Sequence, residues 1–302
     1  MKTTETFSCM GTTFSVEASN GLELRQWIRE REGKYSRFII DSELSRLNHL
    51  PVSKEWIPIS KEFYDILWLT VSYMTTTDGL FNPFLGQQLI SLGYGESFYE
   101  CNNGASEQIR VTQPIDESPF LFHSKQSMIK KLHDVYVDLG GFVKGWSVDK
   151  AYGMAIGDER FIDGGGDLRF SLKKPIVIGV INPFHFESDL IQLKMSTGAM
   201  ATSSVMHRRW ETKNGEVHHH LLHGHTGMNP RSDVVQVTVL ASTVREAEVY
   251  AKVLCMMDAE AAESWMKKKR LSIAAIIITK DRKVRITKNI YKYCEGVETA
   301  WS

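Results

Sequence analysis

The chain lacks an excess of either charge. Lysine plus arginine and aspartate plus glutamate each number 36 in 302 residues. A balance of this kind gives no basic field for nucleic acid or an anionic membrane. No apolar run approaches the roughly 20 residues that cross a bilayer. The opening Met1-Lys2-Thr3-Thr4-Glu5-Thr6 has no apolar signal core and no cysteine placed for lipidation, so the expected location is cytoplasmic. The four cysteines, Cys9, Cys101, Cys255 and Cys294, lie far apart without metal spacing and read as free thiols. No internal repeat and no proline- or serine-rich linker divides the sequence. What remains is an ordinary globular composition, 42% hydrophobic and 24% charged, long enough for one large domain or two lobes sharing a core.

A glycine pair is the most informative positive feature. Tyr136 to Leu139 reads as a short strand and Gly145 to Ile156 as a helix, joined through Gly140-Gly141-Phe142-Val143-Lys144. Backbone N–H groups at such a join can face an anion, helped by the partial positive charge of a helix N-terminus. A cofactor containing a diphosphate is the first expectation. The same glycines also read as a tight strand-to-helix turn with no ligand.

Elsewhere, Phe7 to Val16 is strand material broken at Met10-Gly11-Thr12, and Leu22 to Tyr35 has helical spacing. Asp41 to Asn48 is a helical turn within a loop. Ser60 caps a helix running to about Thr77, and Leu85 to Leu92 is a shorter one. Tyr94 to Gln126 is turn-rich, with two edge strands. Strand candidates follow at Arg160–Asp163, Leu168–Leu172, Ile176–Ile181, Leu190–Ser196, Val217–Leu222 and Val234–Ala241. Thr243 with Glu246 forms a capping box for a helix to about Met257. A helix over Ala259–Lys269, a buried strand over Ser272–Thr279 and an edge partner over Lys283–Thr287 complete the chain. Strands in runs with unevenly inserted helices indicate an α+β fold of mixed and antiparallel sheets.

Six histidines, His207, His218, His219, His220, His223 and His225, crowd into a short stretch. His218 and His220 share one face of a strand. That geometry can hold a metal ion, but histidines without a cysteine or carboxylate partner read first as polar surface. Gly164-Gly165-Gly166-Asp167 reads as a hairpin turn.

Taken together, these segments resemble the ApbE family of flavin transferases, which use FAD to place FMN on a protein threonine or serine. Met10-Gly11-Thr12, Ser42-Glu43-Leu44-Ser45-Arg46-Leu47-Asn48, Gly79-Leu80-Phe81-Asn82-Pro83, Asp138 to Asp149, Asp163 to Leu168, Ala201 to Trp210, and His220 to Gly227 follow the family's order of motifs. The helix from Arg245 to Leu254 stands where the family's late metal-binding helix would be. The resemblance implies a single domain over residues 1–302 with two intimately packed lobes. It also implies FAD and Mg2+ as ligands, an acceptor protein as partner, and AMP as leaving group. Related members hydrolyse FAD when no acceptor is present.

By the same resemblance, Met10, Phe38, Leu80, Phe81, Asn82, Asp138, Gly140 and Lys144 contact the cofactor. Gly141, through its carbonyl, and Glu248 contact the metal, and His220 assists the acceptor hydroxyl. Each has a plainer role open to it: Met10 and Phe38 as core, Asp138 as a cap on the glycine turn, Lys144 as a solvated first-turn lysine.

The departures gather at the metal. Where the family has aspartate and, four residues on, threonine, this chain has Glu248 and Lys252. A lysine ammonium has no acceptor for a cation. The pair is either an i,i+4 surface ion pair or a tethered monocation in the place of the metal. Asn82, Ser204, His223 and Gly224-His225 also differ from the family pattern. The leading functional expectation is FMN transfer from FAD. The alternatives are a non-catalytic FAD-binding protein and an FAD pyrophosphatase.

Overall fold

The structure is a computed structural model and describes residues 3–95, 113–212 and 215–299. The chain forms two compact units. One comprises Met1–Glu30, Lys144–His207 and Arg231–Ser302; the other comprises Arg31–Val143 and Arg208–Pro230.

The first unit is built on a nine-stranded antiparallel sheet. Its order is Thr3–Cys9, Thr12–Ala18, Arg160–Gly164, Leu168–Asn182, His185–Ser204, Val234–Leu240, Ala274–Thr279 and Val284–Ile286, with Gly296–Thr299 also paired to His185–Ser204. Val234–Leu240 and Ala274–Thr279 are buried at every position, as continuous apolar runs demand of central strands. The break expected at Met10-Gly11 is a hairpin turn. Met10 and Gly11 have φ of 52° and 65°, the conformation that joins two twisted strands through two residues. The candidates Leu168–Leu172 and Ile176–Ile181 prove to be one strand. Its register shifts between Ser171 and Ile176, and Lys173, Lys174 and Pro175 are exposed there. A bulge tolerates a proline that a regular ladder does not.

The helices of this unit include most of Gly21–Tyr35, together with Val143–Met154, which begins at the unit's edge, Val244–Leu254 and Ala259–Lys269. Val148, Ala151 and Val244 pack with Phe14, Val16, Leu24, Ile28 and Ile162 in one apolar cluster. Thr243 caps the Val244–Leu254 helix by accepting from Glu246 N at 3.3 Å. The return bond from Glu246 goes to Ser242 N rather than to Thr243.

In the second unit, helix Lys61–Thr76 buries Phe63, Ile66, Leu67 and Met74 and starts at Ser60, whose hydroxyl accepts from Phe63 N. The polar segment after Asp41 becomes a helix, Glu43–His49, capped by Ser42. Lys131 is wholly buried and donates to the carbonyls of Leu47, Asn48 and Leu50 at 3.3, 3.1 and 2.7 Å. It thereby satisfies the orphan acceptors at that helix's C-terminus. Short strands Ile57–Pro58, Met128–Lys131 and Phe120–Phe122 form a small sheet, and Arg209–Glu211 pairs with Val217–His219. Of the edge strands expected between Tyr94 and Gln126, Phe120–Phe122 is present; residues 96–112 lie outside the described residues.

Tyr136 to Leu139 is extended but is not a strand, making only one bridge, from Tyr136 to Leu85. A side chain takes the place of the missing neighbour. The Asn48 amide accepts from Val137 N at 2.7 Å and donates to Val137 O at 3.0 Å. Cys9, Cys255 and Cys294 are free buried thiols, and Cys101 lies outside the described residues. Among the described residues no helix is long and apolar enough to cross a membrane.

Candidate functional site

The glycine bend is closed largely by the chain's own acceptors. Phe142 N and Val143 N donate to Leu139 O at 2.9 and 2.8 Å. Gly140 N donates to Asp138 Oδ1 at 2.7 Å, and Gly145 N to Glu248 Oε2 at 2.9 Å. The helix begins at Val143, two residues before the expected start. Four of the bend's N–H groups, those of Gly140, Phe142, Val143 and Gly145, thus have acceptors within the chain, two of them the carboxylates of Asp138 and Glu248.

In the second unit, Asp138 caps the turn, with Arg37 Nε donating to its other oxygen at 2.5 Å. Arg37 also donates to Tyr94 O, and its guanidinium lies 4.1 Å from the Phe38 ring centre and 5.1 Å from that of Tyr94. Tyr94 in turn stacks on Trp210 at 5.2 Å. Arg37 escaped sequence reasoning because an isolated arginine in a loop carries no periodic signal. Its aromatic neighbour Phe38 is 42% exposed, so a plain core role does not describe it.

Leu80 and Phe81 follow the helix Lys61–Thr76, and Phe81 is buried. The Asn82 amide donates to Ile115 O at 3.0 Å and to Gly224 O at 3.1 Å, while its oxygen accepts from Phe84 N. An aspartate has no donor for those carbonyls. Gly224 is needed beside it, since a Cβ there would run into the Gly79 and Leu80 carbonyl oxygens. The departures at positions 82 and 224 thus form one local adaptation.

His220 follows directly on the strand Val217–His219, so the strand face it was to share with His218 ends before it. Asn229 clamps its chain neighbours, donating to His219 O at 2.6 Å and Leu221 O at 2.9 Å. Asn229 was not singled out from the sequence; its only signal is an asparagine soon after a glycine turn. His225 pairs with Asp116 at 2.8 Å. Burial and the neighbouring His225 push the His223 pKa down. Among the described residues no three histidine, cysteine or carboxylate side chains are grouped to hold a metal ion.

In the first unit, Met10 is half-buried against the apolar cluster around Phe7 and Phe14. The hydroxyl of Ser204 ends its strand by donating to Val235 O and accepting from Met206 N. The charged residues of three separate motifs meet nearby in the same unit. Lys144 pairs with Asp167 and lies 3.7 Å from Glu248 Oε1. Lys252 Nζ donates to that oxygen at 3.1 Å. The side chains of Asp167 and Glu248 are each 2% exposed, and those of Lys144 and Lys252 are 15% and 13% exposed. The i,i+4 pair of Glu248 and Lys252 therefore forms, but it is buried rather than on a surface.

Local structure fixes each member. Gly165 and Gly166, at φ of 68° and 90°, turn the chain so that Gly164 N donates to Asp167 O. At position 145, a Cβ would lie 2.8 Å from Glu248 Oε2 and 3.1 Å from Arg245 N, so only glycine lets the two helices meet. Asp149 accepts from Val244 N and Arg245 N at 2.9 and 3.0 Å, anchoring the N-terminus of the helix that carries Glu248. Burial raises the Asp149 pKa against those bonds. Burial also pushes the Glu248 pKa up, but the Lys252 and Lys144 ammoniums and the Gly145 N–H outweigh it and hold the carboxyl below its ordinary range.

The donor set does not fit a magnesium ion. Mg2+ asks for an octahedron of oxygens. Glu248 has its oxygens on two ammoniums and an amide, Asp167 is held by Lys144, and Lys252 can only donate. A dication about 4 Å from an ammonium meets a repulsion of roughly 8 kcal/mol at an effective dielectric constant of 20. Gly141, the other expected metal contact, belongs to the second unit.

Residues 10–277 match the model of the ApbE family. The chain is 24% identical to an FAD:protein FMN transferase of Haemophilus influenzae, over 94% of this chain and 88% of that protein. Against the Escherichia coli K12 protein of the same name it is 23% identical, over 88% and 79%. Its fold matches the crystal structure of an ApbE protein from Thermotoga maritima with a TM-score of 0.80 at 22% identity, covering 98% of this chain and 100% of that one. A flavin transferase from Vibrio cholerae matches with a TM-score of 0.74 at 20% identity, over 97% and 99%.

Proposed function

The chain belongs to the ApbE family, and from that premise we propose that it transfers FMN from FAD to a hydroxyl of an acceptor protein and releases AMP. Curated relatives with the name FAD:protein FMN transferase support this reading. The observation that carries it is the convergence of Lys144, Gly145, Asp167 and Glu248, from three distant motifs, into one buried cluster.

In the reaction, the acceptor oxygen attacks the phosphorus of the FMN half. The bond from that phosphorus to the bridging oxygen breaks, and the bridging oxygen leaves on AMP. Such a step depends on placement and charge neutralisation more than on covalent help. Lys144 and Lys252 supply positive charge to the diphosphate. His220 accepts the hydroxyl proton on an imidazole nitrogen. Phe38 offers a ring face to a planar part of FAD. Asp138 and Gly140 hold the shape of the bend rather than the ligand, and Asp167 orients Lys144. No step is routed through magnesium, because the residues at its expected position do not fit it.

A second reading, flavin binding without turnover, is favoured by one observation: Lys252 occupies the position of a metal ligand. The test is to incubate the protein with FAD and an acceptor domain bearing a flavinylation threonine. AMP and protein-bound flavin are then measured by chromatography and in-gel fluorescence. Transfer gives both in equal amounts. AMP without bound flavin replaces transfer with hydrolysis, and neither product in the presence of bound FAD leaves the binder.

A further inference from the structure

We infer that this chain takes up the diphosphate of its dinucleotide without a divalent cation, with the Lys252 ammonium, fixed by Glu248, as the resident positive charge. The inference rests on the FAD reading above and goes beyond it in naming how the anion is held. Three observations carry it. First, Lys252 is a donor-only group on the Glu248 oxygen to which a metal would bind, 3.1 Å away, with the Lys144 ammonium 3.7 Å from the same atom. Second, the carboxylate's other oxygen accepts from Gly145 N, so Glu248 is locked as the partner of Lys252. Third, neither lysine is sealed in. The Lys144 and Lys252 side chains are 15% and 13% exposed, whereas the Asp167 and Glu248 side chains are each 2% exposed. The two cations are thus the more exposed members of the cluster and the two anions the more buried.

A cation tethered to the helix needs no metal uptake, and it is present at any magnesium concentration. Its charge is single, so it neutralises less of a diphosphate than a dication does, and Lys144 supplies the second positive charge.

The experiment is calorimetric titration of the whole protein with FAD, once in excess EDTA and once in excess MgCl2. The expected result is the same dissociation constant, within about threefold, in both. An affinity that falls tenfold or more in EDTA overturns the inference while leaving FAD as the ligand. No heat in either buffer overturns the FAD reading, and this inference with it. The variant Lys252→Thr separates charge from packing. It should lose tenfold or more of its metal-free affinity and recover it when MgCl2 is added, with its fold checked by circular dichroism. Unchanged metal-free binding in that variant overturns the inference. Lys252→Arg keeps the charge and should keep binding in EDTA; its failure to do so, in a folded protein, also counts against the tethered cation. Manganese alone, followed by its electron paramagnetic resonance signal, should remain unbound by the natural protein at concentrations that load Lys252→Thr.

Discussion

The chain uses one device twice. At each end of the glycine bend a carboxylate accepts a glycine N–H through one oxygen and pairs with a cation through the other: Asp138 with Gly140 and Arg37, Glu248 with Gly145 and Lys252. The cations make the two regions different. Arg37 has a planar fork, bridges Asp138 and the Tyr94 carbonyl, and lies within reach of two aromatic rings; its side chain is 3% exposed. Lys252 and Lys144 are point charges on flexible stems, and each side chain keeps an exposed fraction. A structural ion pair spends its donors inward, and a binding pair keeps some of them outward.

The largest effect expected from this contrast is at Arg37. Arg37→Met should lower stability by about 3 kcal/mol, because it strands the largely buried Asp138 without its cation. Urea denaturation measures it. Arg37→Lys should recover only part of that loss, since an ammonium cannot bridge the same two acceptors while stacking. A cost under about 1 kcal/mol for Arg37→Met would place the pair with surface ion pairs and remove the contrast.

Glu248→Gln comes next, at about 2 kcal/mol, since the amide oxygen still accepts from Gly145 N while the amide NH2 can no longer accept from the two lysine ammoniums. Its pH dependence is the sharper measurement. The folded carboxyl is held below its ordinary range, so the unfolded chain binds the proton first as pH falls. The stabilisation is thus complete above the ordinary glutamate range and disappears as pH drops through the lower folded value. The natural protein should lose thermal stability more steeply than Glu248→Gln between about pH 5 and pH 3. Parallel curves would show that the lysines do not depress this group.

Much of the fold was legible because helices and central strands carry period and caps. Ser60, Thr243 and the apolar run Val234–Leu240 announce their elements directly. The misreadings arose where a long-range partner replaced a local rule. Asn48 stands in for a strand beside Val137, and a bulge at Lys173–Pro175 carries one strand past a proline. The site was legible as motifs but not as chemistry. Lys144, Glu248 and Lys252 could be named from the sequence. That Gly145 is small because Glu248 presses on it, and that the Glu248–Lys252 pair is buried, is set by the meeting of two helices about a hundred residues apart in the chain. Arg37 and Asn229 carry no pattern at all, because their partners are backbone carbonyls and a carboxylate that only the fold brings near.

The smallest effect on stability is expected at Phe38, and there the contrast can be carried over to the ligand. The ring is 42% exposed, with the Arg37 guanidinium 4.1 Å from its centre and the Tyr94 ring edge-on at 5.8 Å. An exposed cation–π contact contributes about 0.5–1 kcal/mol, so Phe38→Leu should cost no more than that in urea denaturation. If the open face of the ring receives a planar part of FAD, the same variant should weaken FAD binding by more than it weakens the fold. An aromatic stacking partner contributes about 0.5–1.5 kcal/mol beyond its buried area, and leucine keeps most of the area but none of the stacking. Phe38→Tyr should bind as the natural protein does. A Phe38→Leu protein with undiminished FAD affinity would confine the ring to covering Arg37. The inward-facing ion pair and its aromatic cover would then be a purely structural unit, and ligand recognition would rest on the lysine cluster.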